Sequence, residues 1–97
     1  QALQKGAARL SADTAALLRE RLAALAPQSL VIDDESHLHA GHAGAKEGGH
    51  YKITIVATTF AGHNTVKRHR MIHTAVGDLM RGRIHALSIR AFSPDEV

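Results

Sequence analysis

Between Thr65 and Met80 the apolar residues Ile72, Ala75, Val76 and Leu79 recur at i, i+3, i+4 and i+7, the spacing of one helix face. A helix with a single apolar face must bury it, and the segments on either side supply the partner surface. Upstream, Tyr51-Lys52-Ile53-Thr54-Ile55-Val56 alternates, with Tyr51, Ile53 and Ile55 on one face and Lys52 and Thr54 on the other. Downstream, Ile84 to Arg90 alternates again, with His85, Leu87 and Ile89 on one parity. The period changes from two to 3.6 and back, which predicts a strand, a helix and a strand.

The first part of the chain adds a helix and a strand. From Thr14 to Ala26, Leu18, Leu22 and Leu25 form an i, i+4, i+7 stripe, with Ser11 or Asp13 as cap and Pro27 as terminator. Leu30-Val31-Ile32 reads as a strand that leaves the sheet into an acidic turn, Asp33 to Ser36. His37 to Gly49 is the longest loop, and a hairpin across it makes the first two strands antiparallel. Gly77 inside the central helix costs ~1 kcal/mol relative to alanine, which loosens its last turn. Ser93-Pro94 starts a short further helical turn. Residues 1–12 are expected to be a flexible arm and 13–97 the domain. The order α-β-β-α-β predicts an α+β fold, a three-stranded sheet with helices packed on one face.

Composition removes several classes of function. With no cysteine there is no disulfide, no thiolate nucleophile and no Cys-based zinc site. A Gly-x-Ser-x-Gly elbow and paired carboxylates beside a base are also missing, so the chain is not expected to be an enzyme. No apolar run approaches the ~18 residues of a bilayer span and no signal-peptide pattern is present, so the expected location is cytoplasmic, with no membrane partner. Twelve Lys and Arg against nine Asp and Glu, a net +3, permit an acidic partner without demanding one. Three aromatics among 97 residues argue against a base-stacking surface. Eight histidines are the outlier.

Imidazole is a good ligand for iron, zinc, copper or nickel, and His37, His39 and His42 share the long loop. His85 is either a half-buried ring beside Leu87 or a ligand; spacing leaves both open. His69 and His73 stand at i, i+4 without the glutamate of a zinc-protease motif, and His69 is assigned a structural, hydrogen-bonded role. Lys67, Arg68 and Arg70 form a basic patch able to neutralise phosphates, with little base readout.

Asp34-Glu35-Ser36 before a histidine loop, His50-Tyr51-Lys52-Ile53, Phe60-Ala61-Gly62, Arg68-His69-Arg70-Met71-Ile72, Ile84-His85-Ala86-Leu87 and Ser93-Pro94-Asp95-Glu96 together resemble the BolA family. The resemblance implies a fold like that of type II KH domains. It also implies partnership with a monothiol glutaredoxin through a bridging 2Fe-2S cluster, completed by the glutaredoxin and glutathione. On that resemblance His85 is one cluster ligand and His39 the other, with His37 and His42 as fallback loop ligands. The isolated protein, a monomer or weak dimer, is expected to hold no cluster. The alternative implied activity is that of a DNA-binding transcriptional regulator of stress response and cell morphology, in which Lys67, Arg68 and Arg70 would meet duplex DNA. The Gly-x-x-Gly clamp of KH domains is absent where Gly62-His63-Asn64-Thr65 stands, which argues against RNA binding in that mode.

Overall fold

A computed structural model describes residues 14–35 and 49–97. Helix α1 covers residues 14–22 and tightens into a 3-10 turn at Ala23–Leu25. Strand β1 is Ser29–Asp34, β2 is Gly49–Val56, α2 is Thr65–Val76 and β3 is Ile84–Phe92. Short 3-10 turns at Thr58–Phe60, Gly77–Met80 and Pro94–Glu96 flank them. The expected flexible arm falls within residues 1–13, and His37, His39 and His42 fall within 36–48; both segments lie outside the described residues.

The sheet has the order β1-β2-β3, with β1 antiparallel and β3 parallel to β2. A parallel neighbour requires a crossover connection, and α2 provides it. Tyr51, Ile53 and Ile55 of β2 are buried as their alternation predicts. Pairing sets Leu30 and Ile32 of β1, and Leu87 and Ile89 of β3, beside them. Onto this face pack Leu18 and Leu22 from α1, Ile72 and Val76 from α2, and Phe60, Leu79 and Ile84. The fold is therefore α+β with both helices on one face, as expected. Among the described residues no helix is long and apolar enough to cross a membrane.

Three boundaries differ from expectation. The first helix is α-helical only to residue 22, and Ala26 takes a left-handed conformation (φ 51°) because Pro27 disfavours right-handed geometry at the residue before it. Asp33 and Asp34 are not a turn: they continue β1, opposite Lys52 and Tyr51. The central helix stops at Val76, where Gly77 (φ 60°) donates its N–H to the His73 carbonyl and the chain continues as a 3-10 turn. Arg21 holds this corner, donating to the Val76 carbonyl at 3.1 Å and pairing with Asp78 at 3.1 Å.

Candidate functional site

The pairing of β2 with β3 slips between Gly49 and His50: Gly49 stands opposite Ile84, but His50 stands opposite Ala86. His85 is thus an extra residue on β3, a bulge, and a bulge breaks the side-chain alternation locally. Ile84 is buried at 2% exposure while His85 is exposed. The expected shared parity of His85 with Leu87 and Ile89 does not hold at this end, and the reading of His85 as a half-buried core ring falls with it. Its imidazole lies instead beside that of His50, ring centroids 5.0 Å apart and planes inclined by 45°.

Spacing along the sequence assigns His50 no role. It precedes Tyr51, the first residue of the core parity, so it belongs to the other face of β2 with Lys52 and Thr54. That was the available signal. Two backbone bonds hold this end of the sheet: the Glu35 N–H to the His50 carbonyl at 2.7 Å, and the Gly49 N–H to the Arg83 carbonyl at 3.0 Å. Segment 36–48 leaves β1 and rejoins β2 at this same end, between Glu35 and Gly49. The placement of His39, His37 and His42 lies outside the described residues.

On the central helix Arg68 stands apart from the other cations of the expected patch, and His69 lines a groove. Arg68 was expected on the basic patch with Lys67 and Arg70, yet its guanidinium is turned into the fold, with its side chain only 11% exposed. It donates to the Phe60 carbonyl at 3.1 Å, to the Ala91 carbonyl at 3.1 Å, and to both carboxylate oxygens of Glu96 at 2.6 and 3.2 Å. The side chain of His69, expected to hydrogen-bond, makes no hydrogen bond among the described residues; it is half-buried and lines a groove between α2 and β3 with Thr65, Ile89 and Phe92. Lys67 and Arg70 remain exposed.

Glu96 accepts from Arg68 and from the Ser93 backbone N–H at 2.7 Å, closing the Pro94–Glu96 turn. The Arg68 hydrogen bond, then that of Ser93, lowers its pKa from the ordinary 4.5 to about 2. A carboxylate depressed in the folded state contributes stability that is whole above its unfolded value and lost as pH falls through its folded one. The thermal midpoint is therefore expected to drop between about pH 4.5 and pH 2. Glu96→Gln should flatten that part of the profile, read by circular-dichroism melts across the window.

The BolA family, described as BolA-like protein, matches residues 22–96. This chain belongs to the BolA family. It is similar to BOLA1, a chloroplastic protein of Arabidopsis thaliana: 41% identical over 87 residues, 84% of this chain and 54% of that one. The solved structure of Arabidopsis BolA1 superposes with a TM-score of 0.74 at 36% identity, covering 87% of this BolA chain and 95% of that chain. The BolA domain of SufE1 from the same plant gives 0.72 at 43% identity, covering 82% and 91%. A relative in Haemophilus influenzae, named DNA-binding transcriptional regulator BolA, is 36% identical over 70 residues, 72% of this chain and 66% of that one. The chain spans about half the length of several curated relatives it matches.

Proposed function

We propose that this BolA-family chain partners a monothiol glutaredoxin and shares a bridging 2Fe-2S cluster with it. The observation that carries the reading is His85, set in a bulge and presented outward at the sheet end where segment 36–48 is anchored. Such a cluster needs four ligands, and a chain without cysteine supplies only imidazoles. Here His85 and a histidine of segment 36–48, His39 first, with His37 or His42 in its place, would hold one iron. The glutaredoxin cysteine and glutathione would supply the sulfur ligands. Histidine in place of thiolate leaves such a centre less negative and raises its potential. The protein's part is to present His85 outward from a paired strand, so that the ligand is in place before the partner arrives.

The test is anaerobic reconstitution of the chain with a monothiol glutaredoxin, iron, sulfide and glutathione, read by visible absorption and circular dichroism. His85→Ala is expected to abolish the heterodimer spectrum while leaving the melting curve of the isolated chain near wild type, since the ring is exposed. His39→Ala should weaken or alter the spectrum. A wild-type spectrum from the double variant would refute this ligand assignment.

The alternative, DNA-dependent regulation, is favoured by the name of the Haemophilus relative. On this chain Arg68 is engaged with Glu96 and two backbone carbonyls, leaving Lys67 and Arg70 as the exposed cations of the proposed patch. That is a thinner phosphate-binding surface than three free cations would make.

A further inference from the structure

The cluster reading uses His85 with a histidine of segment 36–48 and leaves His50 without a task. We propose that His50 and His85 together form a site for one divalent transition-metal ion of the zinc, copper or nickel class, bound by this chain without a partner.

The geometry is the argument. An imidazole nitrogen sits about 2.0–2.1 Å from a zinc ion, so two imidazoles on one tetrahedral ion have ring centroids roughly 5 Å apart. The observed separation is 5.0 Å, with the planes inclined by 45° rather than stacked. The rings come from two different strands, and the backbone under both is held. The His50 carbonyl accepts from Glu35, and the Gly49 N–H is bonded to Arg83, two residues before His85. Chelation from paired strands needs little reordering of the chain, which favours binding. The slipped register produces the pair: without the extra residue, His85 would share the core side of β3 with Leu87 and Ile89.

The donor set selects the metal. Imidazole suits zinc, copper and nickel, while magnesium and calcium require oxygen ligands. No group of three or more His, Cys, Asp or Glu is poised around an ion among the described residues. Among the described residues two donors meet here, and water or a small ligand would take the remaining positions. Such a site is open and exchangeable, unlike the closed four-ligand sites that hold folds together. Because His85 belongs to both sites, a bound ion and a partner's cluster exclude one another.

The experiment needs no glutaredoxin, so its failure would leave the cluster reading standing. Zinc is titrated calorimetrically into the full metal-free chain, and copper binding is followed by electron paramagnetic resonance for nitrogen ligation. Wild type is expected to bind one zinc ion and ignore magnesium. His50→Ala and His85→Ala should each weaken zinc by about tenfold or more, and His50→Cys should restore it. A variant with His37, His39 and His42 all changed to alanine should keep the site. Circular dichroism confirms that each variant is folded. Wild-type zinc affinity in His50→Ala would overturn the proposal, as would loss of binding in the loop variant alone or equal competition by magnesium.

Discussion

Phe60→Ala is expected to lower stability by about 3–5 kcal/mol, a large share of the roughly 5–15 kcal/mol that holds an ordinary domain together. Phe60 is the largest of the fully buried side chains, at 0% exposure, and it lies in the 3-10 turn that joins β2 to α2. Its ring packs in the core with Leu22, Ile55, Ile72 and others, so truncation leaves a cavity that both layers must close over. The same residue's carbonyl accepts from Arg68, which ties the turn to the helix it precedes. Urea unfolding should show the midpoint falling with the slope little changed. Phe60→Leu, which refills most of the space, should recover more than half of the loss. Equal stability of Phe60→Ala and wild type would mean that the turn is not a core element.

Arg68→Ala should cost about 2–4 kcal/mol, since it orphans two part-buried carbonyls and removes charge-assisted bonds together. In a domain of this size that corresponds to a fall in thermal midpoint of roughly 8–32 °C. The guanidinium joins three separate pieces of chain: the turn at Phe60, the end of β3 at Ala91, and the terminal turn at Glu96. Lysine has one point charge and no planar fork, so Arg68→Lys should rescue only a minority of the loss. Duplex DNA binding, if measured alongside, separates the two roles. A variant that melts like wild type but loses affinity would return Arg68 to the surface patch.

Much of the architecture was legible because it depends on short-range patterns. Alternation from Tyr51 to Val56 identified the central strand and the face it buries, since neighbouring side chains on a strand point opposite ways whatever lies beyond. The spacing of Ile72, Val76 and Leu79 did the same for the helix. All three are buried. Ser93-Pro94 announced the last turn, and Glu96 closes it by accepting from the Ser93 N–H. Asp33 and Asp34 misled because consecutive acids favour turns locally, while in the fold they pair across β1 and β2.

The sequence by itself determined the α+β class, the core face of the sheet and the histidine-rich character of the chain. Tertiary structure alone decided which histidine meets which. His50 and His85 are 35 positions apart, and they adjoin because two parallel strands pair with one residue of slip. No window along the chain contains that register. The same holds for Arg68, whose partners at Ala91 and Glu96 are 23 and 28 residues away. A basic side chain read alone belongs in water; only a folded chain brings together the carbonyls and the carboxylate that make burying it favourable.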